Sequence, residues 1–354
     1  MKKYQIKEIK EIYNHAGSKA VCDICDFATE LSYEPVYIRQ RTKDTGIITL
    51  FLNQAGFFCD WFRGLKGMEK NSVLLLQNPI KRKQLGMFTL LRLFKKIKKL
   101  TVISVIHDVE ELRLSLYRKY SSKEFKFMLG NSDYFIVHNK VMKDYFTGRG
   151  IGEDKIIPLG IFDYALEKDN TKKTMNPEEK ADVVIAGNMD PQKCPYVYKL
   201  FDIVNKFSVN LYGPDYRTGQ KSEYINYCGS FPAGEIPYIL NGRYGLIWDG
   251  DSITECSGDT GNYLRYNDPH KTSLYLVSCI PVIIWEEAAL ADFVRENNIG
   301  ITIGSLEDLK ARIDLISREE YDSMVLNATA MSEKLKEGYH IKKAIKHIED
   351  IIGI

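Results

Sequence analysis

The chain has 354 residues, 44% of them hydrophobic and 27% charged, which is enough apolar material for two cores of ordinary domain size. Forty-nine Lys and Arg balance 47 Asp and Glu, so global charge gives nucleic acid no support as a partner. No stretch of 18 apolar residues is present to span a bilayer, MKKYQIKEIKEIYNHAG lacks the apolar run of a signal peptide, and seven scattered cysteines do not resemble a disulfide framework, so a reduced, cytoplasmic protein is expected.

In chain order, the spacing predicts a helix over Ser18 to Ser32, and its Cys22 and Cys25 read as small helical residues rather than a metal or redox pair. From residue 35 short apolar runs recur at Pro35 to Ile38, Ile47 to Leu52, Ser72 to Leu76, Leu100 to Ile106 and Tyr134 to Val137. These are strand-sized, and helices are predicted between them at Gln84 to Lys99 and Ser122 to Gly130. Strands alternating with helices imply a parallel sheet covered on both faces. The charged stretch ALEKDNTKKTMNPEEKAD reads as a linker or exposed hairpin. After it the alternation resumes: VVIAG, a helix, VNLYG, a helix, YGLIWDG, a helix, PVIIW and GITIG, with an amphipathic helix from Ile341 to Ile352. The expected organisation is an α/β chain with a first domain over 1–162, a linker over 163–180, a second domain over 181–338 and a final helix over 339–354.

Ligands of open parallel sheets bind beyond the carboxyl ends of the strands, which directs attention to the loops there. Gly187 lets the chain turn after VVIA, and the following helix start, with Lys193, would favour an anion, while Asn188 serves either the turn or a ligand. GNMDPQK fits neither the dinucleotide nor the P-loop pattern. In YNDPHK, Asp268 or Asn267 can cap a helix, Pro269 fits its first turn, and His270 and Lys271 lie where amides are unpaired. That makes a phosphate site or a well-capped helix with solvated side chains. Asp249 and Asp251 have the spacing of a metal-binding carboxylate pair, although a turn is the commoner use of Asp-Gly-Asp. Tyr212, Trp248, Tyr263 and Tyr266 could stack on a base or fill the core, and Gly213 opens the loop after VNLYG. In the first half, His107, Asp108, Glu110 and Arg113 follow a strand in quick succession, as a general base acting on a hydroxyl would require, or as a buried structural cluster would. AGSKA, with Ser18, is a small-residue helix start that could face the same cleft. Residues 81–100 join an apolar face to dense Lys and Arg, which suits sheet covering or contact with anionic lipid or a pyrophosphate-linked acceptor.

The words IHDVEELR, GLIWDG, YLRYNDPHKTSLYL and PVIIWEEAALADFV, in this order, resemble a bacterial family of GT-B glycosyltransferases. That family includes β-1,6-galactofuranosyltransferases and glucosyltransferases that extend glycans of serine-rich adhesins. The resemblance implies two Rossmann-like domains facing a cleft, a UDP-sugar held by the second, an acceptor approaching the first, and a C-terminal helix returning to the first. It implies donor contacts at Asn267, His270 and Lys271, with Tyr212 and the Gly187 to Lys193 loop as walls; Ser18, Asn188, Gly213 and Asp249 are taken with them as donor-side candidates, and His107, Asp108 and Glu110 as catalytic ones. The expected reaction is transfer of a sugar, galactofuranose first, from a UDP-sugar to a hydroxyl of a cell-surface glycan. A hexosyltransferase extending a protein-linked glycan is the nearer alternative, and a non-catalytic sugar-nucleotide-binding assembly subunit the farther one. No metal cofactor is implied. A lipid-linked acceptor, peripheral contact with the inner membrane face through residues 81–100 and a homo-oligomer are compatible with the resemblance. The family word reads Asn-Asn-Pro-His-Lys where this chain has Asp268, which would put a carboxylate beside a diphosphate.

Overall fold

A computed structural model describes residues 1–9, 16–41, 46–80, 82–113, 119–166, 181–204 and 207–354, with the side chains of 16–18 and 119 outside that description. Most of the expected linker, residues 167–180, also lies outside it.

The first half alternates strictly: β1 (Lys3–Ile9), α1 (Ala16–Glu30), β2 (Glu34–Arg39), α2 (Ile47–Gly67), β3 (Val73–Asn78), α3 (Met87–Lys98), β4 (Thr101–Ile106), α4 (Lys119–Asn131), β5 (Tyr134–Val137), α5 (Lys140–Thr147) and β6 (Ile156–Pro158). All neighbouring strands are parallel, in the order β2-β1-β3-β4-β5-β6. The run Ile47 to Leu52, expected as a strand, is instead the start of α2. Its six residues carry no period of their own, and the buried positions Asn53, Phe57, Trp61 and Leu65, four apart, give the segment its helical face. Strand β1, second from the sheet's edge, was not anticipated, because Gln5 sits buried in it among charged neighbours. Its amide donates to Cys25 O, Thr29 Oγ1 and Tyr33 O, partners that only the fold supplies.

The second half contains β7 (Val183–Ala186), α6 (Pro195–Lys199), β8 (Val209–Tyr212), β9 (Ile225–Gly229), α7 (Ile236–Ile239), β10 (Tyr244–Ile247), α8 (Gly258–Tyr263), α9 (His270–Val277), β11 (Val282–Trp285), α10 (Ala291–Glu296), β12 (Gly300–Ile303), α11 (Leu309–Asp314), α12 (Arg318–Lys336) and α13 (Tyr339–Ile352). The parallel order is β12-β11-β10-β7-β8-β9. The helix expected between VNLYG and YGLIWDG is the short α7, and an edge strand that was not expected, β9, precedes it. Helix α13 leaves this half and buries Ile341, Ile345 and Ile348 against Ile24 and Phe27 of α1. Its unpaired first amides are met by a carboxylate from the other end of the linker: His340 N and Ile341 N donate to Asp163 at 3.1 and 2.6 Å. No helix among the described residues is long and apolar enough to cross a membrane.

Candidate active site

Each sheet reverses its strand order once, at β1/β3 in the first and at β7/β10 in the second, and such reversals open crevices at the carboxyl edge. At the second crevice β7 ends in Gly187 and β8 in Gly213, so close together that a Cβ at 213 would overlap the Gly187 carbonyl oxygen, and Gly213 holds φ at +148°. Asn188 is a turn residue, accepting from Asp190 N and donating to Asp215 Oδ2 at 3.0 Å, while Lys193 is exposed on the same loop. Tyr212 lies buried beneath the loop, its hydroxyl accepting from Asn241 N at 3.2 Å, so it supports the crevice rather than walling it.

Opposite this loop stands α9, seated firmly because Gly245 of β10 leaves room for the Tyr275 ring and Ala186 N donates to the Tyr275 hydroxyl at 2.8 Å. Its first turn puts Lys271 at the end of β10, where Nζ donates to Trp248 O at 2.7 Å and meets Asp249 Oδ2 at 3.4 Å. Asp249 therefore faces a cation, and Asp251 accepts from Ser257 Oγ. Lys271 is thus held as a fixed positive charge beside the helix's unpaired amides, an arrangement that attracts an anionic group.

The two halves meet around Phe162. The His107 ring stacks on it at 5.5 Å between centroids, and His138 and His270 meet it edge-on at 4.9 and 6.2 Å. His270 also stacks on Tyr164 at 5.0 Å, with Lys19 Nζ 4.6 Å from the far ring's centroid. His270 Nε2 is enclosed without a hydrogen-bond partner, and burial, reinforced by Lys19, lowers the imidazole's pKa to about 4. The ring is therefore neutral at pH 7 and adds no charge to the site.

On the first half's side, His107 Nε2 bonds Gln77 Oε1 at 2.7 Å. Because the Gln77 amide nitrogen donates to Val21 O, its oxygen is the atom turned to the ring, which assigns the His107 proton to Nε2 and leaves Nδ1 as the basic atom. Arg113 pairs with Asp108 at 3.0 Å and approaches Glu110 at 3.8 Å, lying over the Tyr263 ring. Tyr263, reaching across from α8, accepts from Val109 N at 2.9 Å and so ties this strand-end loop to the second half. Ser18 falls in the first turn of α1, with its side chain outside the described residues.

Asp268 turns to the first half of the chain. It is buried, its Oδ1 accepts from Asn139 Nδ2 at 2.6 Å, and its backbone N donates to His138 Nδ1 at 2.9 Å. Burial raises its pKa to about 8, so the carboxyl is mostly protonated at pH 7. Asn267, beside it, keeps an enclosed Oδ1 without a partner. Sequence reasoning missed His138, Asn139, Phe162, Tyr164 and Lys19. The available signal was VHN after the apolar YFI, the same strand-to-polar transition that drew attention to His107 and Asp108.

Comparison with known proteins places this geometry in context. Residues 3–161 match the model of the glucosyltransferase 3-like N-terminal domain, and 183–348 that of the corresponding C-terminal domain. The chain is 30% identical over 353 residues to the β-1,6-galactofuranosyltransferase WbbI of Escherichia coli (strain K12), covering 98% of each. It is 27% identical over 252 residues to glucosyltransferase 3 of Streptococcus gordonii, 71% of each. Among solved structures, the apo lipopolysaccharide outer core galactosyltransferase WaaB superposes with a TM-score of 0.63 at 16% identity, over 98% of this chain and 99% of that one. Anabaena HepE in complex with UDP-glucose gives 0.60 at 10% identity over the whole of both chains. These likenesses establish the GT-B fold.

Proposed function

The chain belongs to the glucosyltransferase 3-like family of glycosyltransferases, and from that premise we propose that it transfers galactofuranose from a UDP-sugar to a hydroxyl of a cell-surface glycan. The observation that carries the donor site is Lys271, fixed beside the amides of α9 at the β7/β10 reversal. The choice of sugar rests on the full-length likeness to WbbI.

In this reading residues 181–338 hold the donor and residues 1–162 receive the acceptor, with 163–180 linking them. The acceptor oxygen forms a bond to the anomeric carbon as the bond from that carbon to the β-phosphate oxygen breaks, and the electron pair leaves with UDP. Lys271, the α9 amides and the loop at Gly187 meet the developing charge, with the neutral Asn267 and His270 beside them. Asp249 and Asp251 are engaged with Lys271 and Ser257, so the diphosphate is handled by protein cations and amides rather than a metal. The acceptor proton passes to the strand-end pair His107 and Asp108, with Arg113 and Glu110 shaping that pair's surroundings. The enzyme works in the cytoplasm on an acceptor carried at the inner face of the membrane.

A second reading, transfer of glucose onto a protein-linked glycan, draws on the likeness to the Streptococcus gordonii protein. Turnover of UDP-galactofuranose and UDP-glucose by the purified chain separates the two. The first reading expects the furanose donor to react at least about tenfold faster, and Asp108→Asn to lower kcat by about a hundredfold or more. A reversed preference selects the second reading, and an unimpaired Asp108→Asn variant removes Asp108 from proton transfer.

A further inference from the structure

Helix α2 buries one side on β2 and β3 and leaves the opposite side apolar. Ile47, Ile48, Phe51, Leu52, Phe58 and Phe62 are all exposed, Ile47 by 87%, Ile48 by 76% and Phe51 by 72%. Placed at 100° per residue, they fill one continuous side of the helix, and the helix's single acid, Asp60, is turned away to bond Arg39 N and Arg41. The face continues onto α3. Phe62 meets Phe94 edge-on at 5.9 Å, and Leu93 and Ile97 stand exposed on the neighbouring helix. The apolar residues of α3 singled out from sequence are otherwise mostly buried, Met87, Leu90, Leu91 and Phe94 among them, so the apolar surface belongs chiefly to α2.

Around this face the charge is one-sided. Residues 61–106 carry eleven Lys or Arg against one acid, Glu69, although the whole chain is balanced. Arg63, Lys66, Arg82, Lys83, Arg92 and Lys96 are exposed on the two helices and the segment between them. That segment runs beside α2, where Gln54 Nε2 donates to Lys83 O at 3.0 Å. A monomer surface rarely leaves so many large apolar side chains together without a use. An apolar stripe bordered by cations matches the boundary between acyl chains and anionic headgroups. A second copy of the chain, packed face to face, would bring the two cationic borders together at a cost.

We propose that the α2–α3 face is a docking surface for an anionic bilayer, into which Ile47, Ile48, Phe51 and Phe58 insert while the cations of α3 hold the headgroups. Helix α2 starts at the carboxyl end of β2, the same edge of the parallel sheet at which His107 and Asp108 end β4, so docking brings the acceptor side of the cleft to the membrane. The inference deepens the proposed transfer reaction by assigning its acceptor to the lipid surface, and rests on that reading only for this last step.

The test is co-sedimentation of the full chain with vesicles of phosphatidylethanolamine and phosphatidylglycerol, and with phosphatidylcholine vesicles, with UDP binding measured on the same samples. Binding is expected on the anionic vesicles alone, weakened by salt, and reduced at least about tenfold both by Phe51→Asp with Phe58→Asp and by Arg92→Glu with Lys96→Glu. UDP affinity should stay unchanged in both variants. Failure to bind anionic vesicles while UDP is bound overturns the docking surface alone, whereas loss of UDP binding in the unaltered chain overturns the donor reading instead. A dimer that Phe51→Asp dissolves, without vesicle binding, gives the face to a second copy and also overturns the proposal.

Discussion

At position 268 the side chain's role is decided by a partner about 130 residues away. A carboxyl buried against Asn139 and His138 is stable there chiefly in its neutral form, because burial raises its pKa from 3.8 to about 8. In the unfolded chain it ionises near 3.8, so between about pH 4 and about pH 8 the unfolded state binds fewer protons and folding loses stability as pH rises. Asp268→Asn removes this titration and can keep the bond to Asn139 by presenting its carbonyl oxygen. The variant's Tm should gain on the parent's steadily from pH 5 to pH 8 and level off above; each kcal/mol is worth roughly 2–4 °C in a domain of this size. A constant Tm difference across that range would mean that the carboxyl is ionised in the fold. YNDPHK gave the helix start and Lys271 to a reader of the sequence, but it could not tell which side chains turn to the crevice and which to the other half. Asp268 turns to Asn139 and His138 of the first half, partners that no local pattern announces.

At the scale of elements, legibility followed burial. VVIA, YGLI, VIIW and the strand β4 are covered on both faces, so their apolar runs announced them. The segment IITLFL has the same composition and is a helix start, since its apolar excess faces outward instead of filling a core. Edge strand β9, which has no fully buried residue, gave no pattern to read. Helix α13 shows how an element gains stability from distant chain. Asp163, leaving β6, caps it through two backbone amides, and Gly338, at φ +69°, turns the chain where a Cβ would overlap the Phe27 ring. Asp163→Ala should therefore cost about 0.5–2 kcal/mol in urea unfolding and speed hydrogen exchange in the first turn of α13 before the rest of the chain. Unchanged exchange at His340 and Ile341 would mean that water replaces the carboxylate without loss.

At the scale of the molecule, two parallel sheets present their carboxyl edges to each other across a seam built from Phe162, three imidazoles and the Tyr263 hydroxyl. The two-domain α/β architecture was readable from alternating runs, and four separated words pointed to the family. The seam was not readable, because it joins the ends of β4 and β5 and Phe162 to α8 and α9, more than 90 residues further along the chain. It sets a fixed cation and helix amides on one side and a His and Asp strand end on the other, the pair to which the proposed reaction assigns donor and acceptor. The most direct measurement is a calorimetric titration of UDP into the chain and into Lys271→Ala, both in EDTA. UDP should bind the parent without metal, and the substitution should weaken it by about ten- to a hundredfold, the loss of one charge-assisted hydrogen bond. Equal affinities, or binding by the parent only when a divalent metal is supplied, would contradict a donor site built on Lys271.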